Sequence, residues 1–446
     1  MLLLALLAGT QAHALFQSSL GPQASSLPPS SRSPSFAQFR FSPPPPPTPK
    51  LIKAGRILDV RTGNYLVDQG LLTEGEKIKE IGPWTQVQSH APSDAVMIDL
   101  SRATLLPGLI DCHAHLLING DLGRIDPGEL LTLTATGVSE SLRALVGARN
   151  AREVLDAGIT SVRNVGHSGI DGDVSLRDAI NAGWIPGPRI QAAARKITAV
   201  GGQLLNLPPG SGAEFVRREF LTVSGPGEAR QAVREDLAAG ADLIKIVIDS
   251  DAGRGWKTRY MAVEDARAIV EDAHRLGLKV AAHAGDNAAV QIAIDAGVDS
   301  IEHAWTATDD QLRQMKAKGI WLVATEIFVA APPKDRLQRA MRIGVKIAMG
   351  SDAWALLPGK TRREATLLEL KKLHDEGMPD LEIIRSSTIN AAELMGWSDR
   401  VGELAVGKYA DIIAVTGDPV QDIGLLQHVR YVMKGARVIR NDFARD

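Results

Sequence analysis

The chain has 446 residues, 44% of them hydrophobic, so it can bury a large core, and its formal charge of −2 gives no electrostatic reason to expect nucleic acid or an anionic membrane as partner. A single cysteine, Cys112, excludes an internal disulfide. The length suits one large catalytic domain with a small one appended.

The first fifty residues differ from the rest. Leu2–Ala8 is a short apolar run, and Ala12-His13-Ala14 has the small-x-small form of a signal-peptidase site. The run is far shorter than the ~20 apolar residues that span a bilayer. Residues 1–14 are read as a signal peptide and export, periplasmic or secreted, is expected. No Lys or Arg precedes the run, so an organelle transit peptide or a misplaced gene start stays open. Residues 15–49 are rich in Ser and Pro, hold no Asp or Glu, and read as a disordered or polyproline linker.

Residues 50–104 contain short strand-like pieces, LIKAGRILDV, GLLTEGEKIKEIG and AVMIDL, joined by turns such as Thr62-Gly63-Asn64. Residues 402–446 read the same way, with GELAVGKYADIIAVT and VRYVMKGARVIR. Neither piece is large enough to stand alone as a sheet. They are expected to meet as one small β-sandwich built from the N- and C-terminal segments.

Between them, residues 105–401 alternate apolar strands with helix-patterned segments. Eight stretches begin at Leu105, Gly158, Pro188, Ala241, Leu278, Asp299, Gly319 and Val345. Helical spacing covers 148–157, 227–239, 262–276, 287–296, 308–318, 335–343 and 362–376, often with a glycine just beyond, as a left-handed cap requires. Near-continuous apolar strands separated by helices predict an α/β fold with a parallel sheet covered on its outside. A count of eight favours a (β/α)₈ TIM barrel over a doubly wound open sheet.

Polar residues at the ends of these stretches carry the chemistry. His113 and His115 are two apart, so on a strand their imidazoles face one side and Cys112 faces the other. Lys245 sits inside LIKIVI, where an ammonium is expensive to desolvate. An ammonium has three donors and no acceptor and cannot bind a cation. Burial lowers a lysine's pKa, however, and the resulting free amine reacts with carbon dioxide to give a carbamate, an anion able to bridge two metals. His283 and His303 end the next two stretches. Asp352 follows Met349-Gly350-Ser351; a helix N-cap is its bland alternative. His167 is kept as a pocket residue. Gln203, Arg254, Tyr260, Trp305 and Glu326 lie at or near strand ends, where substrate contact and loop packing are equally open readings.

This ordered set resembles the amidohydrolase superfamily in its binuclear, carboxylated-lysine branch, and is similar to imidazolonepropionase-like members and Xaa-Pro dipeptidases. The resemblance runs from about residue 50 to 440: PGLIDCHAHL, the lysine-bearing strand, the two later histidines, GSD and GKYADIIAV. It implies that His113, His115 and Asp352 hold one divalent ion, that His283 and His303 hold a second, with zinc the expected metal, and that the Lys245 carbamate bridges them. The implied activity is hydrolysis of an amide bond in a dipeptide or N-acyl amino acid by a metal-bridging hydroxide, with Asp352 and Lys245 catalytic. Two positions depart from the dipeptidase pattern. Gly285 stands where relatives often carry Tyr or His, and Gln203 where many have the histidine of a Gly-Gly-His. Both remove a polar or basic group from the expected pocket. The alternatives are a mononuclear deaminase, a lactam or ester hydrolase, and an inactive barrel used for binding. The expected partner is a small-molecule amide or dipeptide, with no nucleic acid and no membrane; homo-oligomerisation is left open.

Overall fold

The computed structural model describes residues 44–203, 207, 212–250, 258–327 and 335–445. The expected signal segment, most of the Pro/Ser linker and Arg254 lie outside the described residues. No helix among the described residues is long and apolar enough to cross a membrane.

Four strands come first: β1 (Lys50–Leu58), β2 (Tyr65–Glu74), β3 (Lys77–Pro83) and β4 (Val96–Pro107). Next are β5 (Leu109–Ala114), β6 (Ile159–Asn164), β7 (Arg189–Ala192), β8 (Lys196–Ala199) and β9 (Phe220–Val223). Then follow β10 (Ile244–Val247), β11 (Asp249–Ser250), β12 (Arg259–Tyr260) and β13 (Val280–Ala284). The series closes with β14 (Ser300–His303), β15 (Trp321–Ala324), β16 (Ile347–Met349), β17 (Ile412–Val415), β18 (Tyr431–Lys434) and β19 (Arg437–Asn441).

The two ends of the chain do meet. They form one continuous seven-stranded sheet in the order β19-β18-β17-β4-β1-β2-β3, rather than two separate facing sheets. Period-two alternation on β17 shows how it packs. Ile412 and Ala414 join a cluster with Ile52, Leu71, Ile98 and Met433 within the terminal sheet. Ile413 and Val415 point the other way, into the large cluster that underlies the rest of the molecule. The apolar stretch at Leu105 is therefore split: Leu105–Pro107 finishes β4, and Gly108 turns the chain into β5, with its N–H on the Asp411 carbonyl at 2.9 Å.

The remaining parallel strands form two arcs, β5-β6-β7 and β16-β15-β14-β13-β10-β8-β9. Taking β7 and β8 as one strand broken at residues 193–195 leaves nine strands in the arcs, the eight expected and the short edge strand β9, which pairs with β8. The first half of the broken strand pairs with β6 and its second with β10. Ala194, at φ 56°, makes the break. At the other seam no ladder joins β16 to β5. There the Asp352 N–H donates to the His113 carbonyl at 2.8 Å, and Ser351 donates through N–H and hydroxyl to the Asp111 carboxylate at 2.9 and 2.6 Å.

Most predicted helices form within a residue or two, and left-handed caps fall at Gly240 and Gly297. The first is longer than its pattern, running Glu140–Asp156 from a Ser139 cap. Helices Pro127–Gly137, Gly172–Asn181 and Ile389–Met395 were not anticipated. The last covers Cys112, whose thiol lies buried against it, as the strand alternation requires.

Candidate metal centre at the strand carboxyl ends

A cavity of about 210 Å³ opens where β5, β10, β13, β14 and β16 end. His113, His115, Lys245, His283, His303 and Asp352 all line it, beside Leu131, His167, Lys196, Gln203, Val247, Trp305 and Trp354. A larger concavity, about 360 Å³ beside Arg189 and Lys434, lies against the terminal sheet and has none of these donors. Donor chemistry, not size, picks the site.

The four imidazoles form a chain in space. Ring centres are 5.1 Å apart for His115 and His113, 5.0 Å for His113 and His303, and 4.6 Å for His303 and His283. Asp352 Oδ1 lies 3.5 Å from His113 Nε2 and 3.3 Å from His115 Nε2. These three residues could hold one cation between them.

Three of the rings are fixed from behind through Nδ1: His113 by the Glu302 carboxylate at 2.7 Å, His115 by the Gly166 carbonyl at 2.9 Å, and His303 by the Thr325 hydroxyl at 2.7 Å. Such outer partners set the tautomer and leave Nε2 free to ligate. Glu302 is itself held by Arg163 at 2.8 Å and the Ser300 hydroxyl at 2.6 Å. Burial keeps the rings neutral, the form that binds metal. It lowers His113 and His303 well below their usual pKa and His283 to about 3, with the Lys245 ammonium adding to it in each. His303 (φ 76°) and Asp352 (φ 46°) adopt left-handed backbone, a strained state for such residues that clusters at functional sites.

Lys245 is 2% exposed, and its Nζ has no hydrogen-bond partner. Burial lowers its pKa to about 8 against the pull of Glu302 and Asp352. An ammonium left bare in this way is costly, since a buried polar group without a partner loses its hydration for nothing.

The expected substrate contacts divide. Gln203 and Trp305 line the cavity, and His167 does too. Tyr260 does not: it is 40% exposed and its hydroxyl donates to Asp286 at 2.5 Å. Glu326 is committed to a buried pair with Arg336 and accepts no role at the cavity wall. The two departures from the dipeptidase pattern are filled by other residues. A Cβ at Gly285 would come within 2.7 Å of the Trp305 ring, so the glycine makes room for that indole, which stacks 4.7 Å from His303. Near Gln203 the pocket does keep a basic group, because Lys196 donates to its side-chain oxygen. Sequence reasoning missed Lys196 and Glu302. Each is a charged residue inside an apolar strand, the same signal that marked Lys245.

Residues 104–440 match the amidohydrolase family. Ochratoxinase from Aspergillus niger is 32% identical over 386 residues, covering 75% of each chain. Imidazolonepropionase from Symbiobacterium thermophilum is 25% identical over 402 residues, 82% of this chain and 90% of the relative. The crystal structure of a Xaa-Pro dipeptidase with methionine bound in its active site superposes with a TM-score of 0.77 at 29% identity, over 88% of this chain and 99% of the other.

Proposed function

Because the chain belongs to the amidohydrolase family, an enzyme family with relatives that hydrolyse amide C–N bonds, we propose a binuclear metal-dependent hydrolase that cleaves a dipeptide or N-acyl amino acid. The observation that carries this reading is the partnerless Lys245 Nζ among four neutral imidazoles. His113, His115 and Asp352 would hold one divalent ion and His283 and His303 the other, with zinc suited to this nitrogen-rich donor set. Lys245, carboxylated by carbon dioxide, would supply the bridging oxygens. In this reading the two parallel arcs close as a (β/α)₈ barrel and the terminal sheet folds on itself as a small sandwich.

Divalent ions held by these residues would lower the pKa of water to roughly 7 and polarise the amide carbonyl. The chain's own residues do the rest. Asp352, against both His113 and His115, takes the proton of the attacking water and returns it to the leaving nitrogen. Leu131, Val247, Trp305 and Trp354 wall the cavity and limit competing water. Glu302 and Arg163 hold the His113 ring in its ligating tautomer.

Metal analysis of the purified chain, paired with assay of dipeptides ending in Pro, Lys or Arg, N-acyl amino acids and lactams, tests the reading. About two ions per chain and amine release are expected. One ion with an unmodified Lys245 would favour a mononuclear deaminase instead. No ion and no turnover would favour a binding barrel. The N-terminal 1–14 segment is proposed to direct export, and N-terminal sequencing of the secreted product would test that.

A further inference from the structure

The cavity holds a second buried lysine that metal binding does not use. Lys196 is 2% exposed and reaches the cavity from the strand next to Lys245. Its Nζ donates to Gln203 Oε1 and lies 2.8 Å from His167 Nε2. The Nζ also lies over the Phe220 ring, 4.9 Å from its centre. Gly166 at φ 103° leaves space for the stem, since a Cβ there would fall 2.4 Å from Lys196 Cγ. No carboxylate among the described residues comes within ion-pair distance; the neighbouring Glu219 is engaged by Arg143.

A lysine ammonium has three donors, and two neutral acceptors and the face of Phe220 leave the charge without an anion. Burying a cation without a counter-ion is unfavourable, and an anion entering the cavity would answer it. The His167 ring meets His115 edge-on, 4.9 Å between ring centres, so this cation sits one imidazole away from the proposed metal ligands. We propose that Lys196, steadied by Gln203 and His167, binds the free carboxylate of the substrate and so selects amides of α-amino acids over uncharged amides. The proposal rests on the hydrolase reading of the same cavity.

The test compares N-acetyl-L-leucine with N-acetyl-L-leucinamide on the metal-loaded chain. Turnover is followed by amine release, and binding is followed by calorimetry on the slow Asp352→Asn variant. The expected result is tighter binding of the carboxylate by tenfold or more. Lys196→Met should raise KM for N-acetyl-L-leucine tenfold or more, while KM for the leucinamide moves less than twofold and metal content is unchanged. Lys196→Arg should recover part of the preference. Gln203→Glu, which places a carboxylate on the ammonium without altering Lys196, should lose it. Equal losses on both compounds, or no preference in the unaltered protein, would overturn the assignment. Carboxylate-selective binding through Lys196 without amine release would instead sink the hydrolase reading and leave this site standing. Equal amine release from both compounds would do the reverse.

Discussion

Lys196 on β8 and Lys245 on β10 are directly paired positions of neighbouring parallel strands, and both side chains line one cavity. Like charges placed opposite each other on a sheet are destabilising. The pair is asymmetric: Lys196 has Gln203 and His167, whereas the Lys245 Nζ has nothing. Burial and Lys245 together pull Lys196 well below its ordinary pKa. Carboxylation of Lys245, with the carbamate charge taken up by the metal ions, would relieve this repulsion between two ammonium groups, so the pair favours the carbamate. Lys245→Ala is therefore expected to lose bound metal and turnover together, and a short carboxylic acid added to the medium should restore part of both. Full activity in that variant without added acid would rule the bridge out.

Asp352 stands within 3.5 Å of two imidazole Nε2 atoms at the end of β16. Asp352→Asn keeps the shape but removes the proton acceptor. A loss in kcat of roughly 10²–10⁴ is expected, the usual contribution of a positioned acid–base group. KM should change little. A loss smaller than tenfold with metal content intact would assign the proton transfer elsewhere.

The six candidate donors were readable because each member ends an apolar strand, and parallel strands bring their carboxyl ends to one face. His113, His115, Lys245, His283, His303 and Asp352 needed nothing beyond that rule to be brought together. What was hidden depends on local breaks in the rule. The reversal at residues 193–195 resets the alternation along the third stretch, which conceals that Lys196 faces inward. The terminal pieces gave their strands by alternation, but whether the ladder is continuous depends on pairing between ends over three hundred residues apart, such as Leu106 with Ile413. Tyr260 and Glu326 fall outside the cavity lining for another reason. Proximity to a strand end says nothing about a nearer partner, and Asp286 and Arg336 claim them.

Glu302 is fully buried between Arg163, Ser300 and His113 Nδ1. Glu302→Gln leaves the ligands untouched but weakens the acceptor that orients His113. Removal of such an outer partner commonly costs about 10–100-fold in metal affinity. Competition with a chelator should show a loss of that size, with a lowered Tm because Arg163 loses its charged partner. Unchanged affinity would mean that His113 is oriented by packing alone.

Gly285 yields its side-chain space to Trp305, and Asp249 Oδ2 would also lie 3.1 Å from a Cβ there. The Gly285 N–H donates to that carboxylate at 3.0 Å, so the backbone has little freedom to retreat. Gly285→Ala should displace the indole from His303 at a cost in stability of about 1–3 kcal/mol, the range for overpacked sites. The expected readout is a shift in tryptophan emission and a raised KM with metal content retained. An unshifted emission and unchanged KM would show that the indole does not shape the cavity.

Arg61, in the turn after β1, forms a two-pronged pair with Glu403, which comes before β17 and also accepts from Lys408 at 2.6 Å. The Arg61 hydrogen bond, with Lys408 helping against burial, depresses the Glu403 carboxyl to about 2 from an ordinary value of 4.5. A carboxylate whose folded pKa lies below its unfolded one stabilises the fold above the unfolded value. That contribution is lost as pH falls from 4.5 through 2. Solvent screens a site this open, so the gain at neutral pH is about 0.5–1 kcal/mol rather than the full shift. Denaturant unfolding of wild type and Glu403→Gln should therefore differ by that amount at pH 7 and converge progressively as pH falls from 4.5 to about 2. A gap that persists at low pH would mean the ends of the terminal sheet are joined there by packing, and that the ion pair adds nothing.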